Sequence, residues 1–155
     1  MAHVITETDR TPIDEIRFLL SVYIREAELA TDVILSDVFL RSAELELYSF
    51  LGLDGDDMFD AMIGSDPRNN FQTEYRERSM LAVQYLTAIK LIPNLPQLLE
   101  ESILRERVRY QDINWKEKIE HYRESIFRLL EPIAPEGNLT DLRAIFDEVD
   151  QYVAF

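Results

Sequence analysis

Residues 114–133, NWKEKIEHYRESIFRLLEPI, set Trp115, Ile119, Tyr122, Ile126, Leu129 and Ile133 at steps of 4, 3, 4, 3 and 4. That recurrence is one face of an α-helix, so the stretch predicts a helix buried along a single stripe. Asn114 with Glu117 three residues later forms a capping box that fixes the helix start. Lys116, Glu120, Arg123, Glu124 and Arg128 fall on the outer face, and Pro132, Pro135 and Gly137 end the helical pattern. An apolar stripe of this length needs other helices to cover it, and the search for them runs outward along the chain.

Upstream, Asn70 to Ile92 reads as a long helix in which only Gln84, Thr87 and Lys90 are clearly polar after Met80. Such an apolar helix belongs at the centre of a bundle. Pro93 stops it, and Asn94-Leu95-Pro96 opens a further helix carrying Leu98, Leu99, Ile103 and Leu104 to about Arg107. Residues 107–114, RVRYQDIN, do not continue that stripe and read as a turn or short extended piece. Nearer the N-terminus, Thr11-Pro12 with Asp14 signals a helix start, and Ile13, Ile16, Leu20 and Ile24, widened by Leu19 and Tyr23, carry it to about Leu29. Residues 30–36 read as an extended connection because Thr31, Val33 and Ile34 are β-branched. Ser36 or Asp37 then caps a helix whose inner face is Leu40, Ala43, Leu47 and Phe50, with Gly52 placed to end it. Residues 52–70 have loop composition around a possible helical turn at 58–63. The expected fold is all-α, a small bundle of four to five helices over 12–131, with a flexible N-terminus at 1–11 and an extended C-terminal docking tail at 132–155.

Charge is segregated along the chain. Residues 1–66 hold 4 Lys and Arg against 15 Asp and Glu, residues 67–131 hold 11 against 10, and residues 132–155 hold 1 against 5, for a net charge of −14. An acidic front beside a balanced middle implies unlike contact surfaces. It argues against general affinity for nucleic-acid phosphates, which depends on Lys and Arg releasing counterions. No cysteine is present, which removes disulfides, thiolate metal sites and thiol nucleophiles. No apolar run approaches the roughly 20 residues of a membrane span, and residues 1–10 lack the pattern of a signal peptide.

The residues assemble no recognisable catalytic or metal centre. A di-iron bundle needs two Glu-x-x-His pairs, whereas the chain has only His3 and His121, the latter with Glu117 four residues before it. An EF-hand loop begun at Asp54 would place Met58 and Phe59 at its fifth and sixth positions, where an oxygen ligand and glycine are required. Gly64-Ser65 lacks the second glycine of a nucleophile elbow. The expectation is therefore no catalytic residue, no cofactor and no metal. Arg105, Arg107 and Arg109 beside Tyr110 are the one local basic cluster, diluted by Glu106 and Asp112, so salt bridges to the acidic front are expected ahead of phosphate contacts. Trp115, the sole tryptophan, reads as core, with a protein interface as the competing role.

The order of IDEIRFLL (13–20), LSD (35–37) opening a helix that ends FLGL (50–53), a long alanine-containing helix, and VRYQDINW (108–115) leading into EKIEHYRESIFRLL (117–130) resembles the small helical head-to-tail connector proteins of tailed bacteriophages, also called adaptor or head-completion proteins. The chain departs from that pattern in its more acidic front and in the run IPNLPQLLEE at 92–101. The resemblance implies a non-enzymatic virion protein that forms a homo-oligomeric ring between the portal protein and a tail-side neck protein, made in the host cytoplasm. DNA would pass through the ring without specific binding, and no membrane would be involved. In that setting Arg105, Arg107, Arg109 and Trp115 are expected at partner interfaces, and Leu142, Phe146, Tyr152 and Phe155 are expected to dock the tail. The competing reading from charge alone is an acidic helical inhibitor, or nucleic-acid mimic, that occupies a basic protein.

Overall fold

The structure, a computed structural model, describes residues 3–51 and 70–133. Among the described residues the fold is all-α, without strands. Its centre is α4 (Asn70–Leu91), against which α1 (Arg10–Leu20), α3 (Leu40–Phe50) and α7 (Trp115–Leu130) pack. The arrangement follows from α4 itself: Ala82, Val83, Leu86, Ala88, Ile89 and Leu91 are buried, and their positions reach nearly round the helix. Burial on several sides requires several covering helices. Thr87 is also buried there, its hydroxyl donating to the Val83 carbonyl at 2.6 Å, so its polar group is satisfied within the helix.

Polar ties fix how the outer helices sit on α4. Lys90 of α4 meets Glu46 of α3 at 2.6 Å. Arg78 of α4 donates to the Arg128 and Leu129 carbonyls at 3.4 and 3.2 Å, placing positive charge at the C-terminal end of α7, where the helix dipole favours it. The Tyr122 hydroxyl of α7 donates to the Leu19 carbonyl of α1. The N-cap half of the predicted box is made, with Asn114 Oδ1 accepting from the Glu117 N–H at 3.1 Å, while the Glu117 carboxylate takes the Asn114 side-chain amide at 3.3 Å. Trp115, Ile119, Tyr122 and Ile126 are buried as the spacing requires; Leu129 and Ile133 are only partly so. Arg123 departs from its expected place on the outer face and is buried. With Phe127 and Leu130 it forms a second stripe, so the covered arc of α7 is wider than a single row.

Helix α1 ends at Leu20, well short of the expected Leu29, and the cause is Arg17. Its buried guanidinium donates from Nε to the Leu29 carbonyl at 2.9 Å, from Nη2 to Thr31 Oγ1 at 2.8 Å and from Nη1 to Asp14 at 2.7 Å. A buried guanidinium needs acceptors, and the chain supplies them by turning back after an extended Ser21. Ile24 and Leu29 therefore enter the core from turns, while Tyr23, read as part of the stripe, faces solvent. The expected extended piece at 30–36 instead contains one helical turn, α2 (Thr31–Ile34), which satisfies local backbone groups while burying Ile34. The next helix starts at Leu40, later than either proposed cap, with the Ser36 carbonyl taking the N–H groups of Phe39 and Arg41. Its predicted inner face is buried throughout.

The expected flexible N-terminus is packed where described. Val4 and Ile5 are buried, and the buried carboxylate of Glu44 accepts the Val4 N–H at 2.7 Å. Arg41 pairs with Glu44 and donates to the Ile5 carbonyl at 2.8 Å. The side chain of Asp9 turns back to Thr6, to its N–H at 2.8 Å, instead of capping α1. After α4, residues 92–94 form a 3₁₀ turn, and the single helix expected to reach Arg107 is divided into α5 (Leu95–Leu98), α6 (Glu101–Ile103) and a π turn (Leu104–Val108). Leu99 and Glu100 are extended between them. The sequence periodicity does not register this break, because Leu95, Leu99 and Ile103 are buried on either side of it. Gly52, the possible turn at 58–63 and the 132–155 tail beyond Ile133 lie outside the described residues. No helix among the described residues is long and apolar enough to cross a membrane.

Arg17→Ala is expected to lower the unfolding free energy by about 2–3 kcal/mol, since it removes the donor to the Leu29 carbonyl and one of the two partners of the Thr31 hydroxyl; Arg10→Ala, at an exposed position, should stay within about 0.5 kcal/mol. Denaturant titration checks both. Burial, with the nearby Tyr85, pushes the Tyr122 hydroxyl above the ordinary tyrosine range. The unfolded chain therefore loses this proton first, so the stabilising contribution is complete below about pH 10 and is lost as pH rises above it. Lys118, held below the ordinary lysine range by burial, works in the opposite sense. Tyr122→Phe is expected to flatten the fall in melting temperature above about pH 10, measured by thermal melts in alkaline buffers.

Candidate functional site

The π turn and the residue after it build the most distinctive surface of the molecule. The wide turn is closed by Tyr110 N–H donating to the Leu104 carbonyl at 3.0 Å, and Arg109 between them adopts φ 51° and ψ 48°. This left-handed conformation is one that glycine takes readily and an L-residue with a Cβ takes at a cost. The Asp112 N–H then bonds the Arg109 carbonyl at 2.9 Å, turning the chain toward α7.

Trp115 is the foundation of this corner. It is 2% exposed, its Nε1 donates to the Tyr110 carbonyl at 2.6 Å, and its ring lies 5.2 Å from the Tyr110 ring. The ammonium of Lys118 sits 5.2 Å from the indole centroid. The Tyr110 hydroxyl in turn donates to the Ile92 carbonyl at 3.3 Å, joining the corner to the end of α4, and burial pushes that hydroxyl above the ordinary tyrosine range. Of its two sequence readings Trp115 therefore takes the core one; its indole is not a surface contact.

The three arginines do not share one role. Arg107 pairs with Glu28 of the acidic front, so the expected salt bridge to that front is made within the chain. Its carbonyl also accepts from Ser21 Oγ at 3.3 Å. The Arg105 side chain is 70% exposed and only 4.0 Å from Glu101. Arg109 is exposed and makes no ion pair with the described residues. It lines two hollows, one of about 480 Å³ with Pro96, Glu101, Leu104, Arg105, Tyr110 and Asp112 among its walls, the other of about 490 Å³ with Tyr23, Glu106 and Arg107.

Tyr23, on the wall of the second hollow, is 63% exposed, and Phe18 and Val22 of the same segment are 62% and 57% exposed. The Ser21–Arg107 hydrogen bond brings this edge of the chain to the arginine corner. Sequence reading missed Tyr23 as surface, because it continued α1 past Ser21; the polar Ser21 inside the run 18–24 was the available signal. Leu142, Phe146, Tyr152 and Phe155 lie outside the described residues. Among the described residues no three His, Asp or Glu side chains converge as a metal site. Chemically, the corner offers guanidinium donors and apolar side chains side by side, the combination enriched at protein interfaces and suited to carboxylates.

Compared with protein-family models, with curated proteins and with solved structures, the chain matches none.

Trp115→Phe keeps much of the core volume but removes the bond to the Tyr110 carbonyl. It is expected to cost about 1–3 kcal/mol and to increase amide exchange at residues 104–112 more than in α1, as read by hydrogen–deuterium exchange.

Proposed function

We propose that this chain is a non-enzymatic structural subunit of a phage neck, forming a ring between the portal and the tail that extends the DNA channel. The observation that carries the proposal is the corner at which exposed Tyr23 shares a hollow with Arg109, with Phe18 and Val22 exposed on the same N-terminal segment. A ring of identical subunits needs two unlike faces, each meeting the other on a neighbour. The arginine-bearing corner, mixed in charge and partly apolar, supplies one. The front supplies another, with Glu7, Glu15, Glu26, Asp32 and Asp37 exposed. The sequence blocks that resemble connector proteins also fall on connected parts of the bundle: residues 13–20 lie in α1 and residues 108–130 run from the π turn through α7. Acidic side chains toward the channel would repel passing DNA and leave it mobile.

Quantitative mass spectrometry of density-purified phage particles tests the proposal directly. The expected result is this chain at a fixed ratio to the portal protein, close to the ratio of two stacked rings. Its absence from intact infectious particles would overturn the connector reading and favour an acidic inhibitor of a basic protein, for which the net charge of −14 is the support.

A further inference from the structure

We propose that the Arg105–Arg109 corner docks a carboxylate-bearing, partly apolar peptide segment of a partner protein, with Arg109 as the anchoring residue. The inference rests on reading this corner as a protein-contact surface, and it adds what the partner must present.

The backbone gives the first argument. Arg109 is the one non-glycine residue with positive φ among those described, at a position where glycine or asparagine fits more easily. The π turn is the kind of helix irregularity found often at functional sites. Together they project a long cationic side chain onto the divide between the two hollows instead of back onto the helix. A glycine would close the same turn and present nothing.

Partnership among the arginines gives the second. Arg107 is engaged by Glu28. Arg105 is held only at 4.0 Å from Glu101, and Arg109 has no ion pair among the described residues. Two guanidinium groups, four residues apart and both exposed, are thus open to carboxylates, for which their forked donors are matched.

Charge distribution decides the class of ligand. A chain of net charge −14 repels an acidic segment over most of its surface, so such a segment is held by local contacts with exposed cations, which Arg109 and Arg105 offer at this corner. Glu101, Glu106 and Asp112 are interleaved with the arginines, so a continuous polyanion such as a nucleic-acid strand meets repulsion between its attractive contacts. A peptide with spaced carboxylates meets Arg105 and Arg109 separately and lays apolar side chains on Pro96 and Leu104 in one hollow and on Tyr23 in the other.

The test is fluorescence anisotropy at low ionic strength with the full chain and two labelled probes, a peptide of Glu-Glu-Leu repeats and an oligothymidylate of equal charge. The peptide is expected to bind saturably. Arg109→Gly, which preserves the turn, should weaken it about tenfold or more, a loss on the scale of one charge-assisted contact, without lowering the melting temperature. Arg105→Gln, at an exposed side chain, should weaken it several-fold, and the oligothymidylate should bind at least about tenfold less tightly than the peptide. Unchanged peptide affinity in Arg109→Gly, equal binding of the oligothymidylate, or no saturable peptide binding would each overturn the proposal. Particle composition does not enter this measurement, so the docking site and the connector reading fail independently.

Discussion

A helix with almost no wet side has to be surrounded, and that requirement on α4 organises the rest of the molecule. Residues 82–91 place apolar side chains on nearly every azimuth, so removing them from water takes α1, α3 and α7 at once. Each buried aliphatic side chain contributes on the order of 1.5–3 kcal/mol against an entropic cost of similar total size. The polar ties then select among possible packings. Arg78 at the end of α7, Lys90 with Glu46, and Tyr122 on the Leu19 carbonyl each join two helices at one defined offset. Hydrophobic burial is non-directional; these contacts supply registry.

The parts of the fold legible in the sequence are those where a local signal and the tertiary demand agree. Helix α7 carries an Asn114 cap and a regular stripe, α4 is apolar to the point of needing a central place, and α3 has its inner face at helical spacing. The parts that were not legible are governed by long-range contacts with no local trace. Nothing near Arg17 announces that it will be buried and will draw the carbonyl of Leu29 toward it. Nothing near residues 3–5 announces Glu44. The break at Leu99 is invisible because the leucine spacing is compatible with both an unbroken and a broken helix.

The candidate site divides in the same way. The arginine cluster is visible in sequence because it is contiguous, but its division into one engaged member and two open ones depends on Glu28, far away along the chain. The exposure of Tyr23 accompanies the early end of α1, where the chain turns back toward Arg17, whereas Phe18 is exposed on α1 itself. Trp115 is beneath the arginine corner and not on its surface. Its role is to hold the Tyr110 carbonyl and ring in place, so that the left-handed residue preceding them has a fixed base.

The clasp between the N-terminal segment and α3 also bears on the order in which the protein is made. Val4 leaves the ribosome 40 residues ahead of Glu44, the carboxylate that receives its N–H. At ordinary rates of synthesis that interval is on the order of seconds, long compared with helix formation. During it, Val4 and Ile5 lack the cover of α3, and Arg17 lacks the carbonyl it later takes until Leu29 has emerged. The segment therefore has no cover from α3 until Glu44 has emerged, and its two apolar residues remain available to a chaperone while α1 is forming.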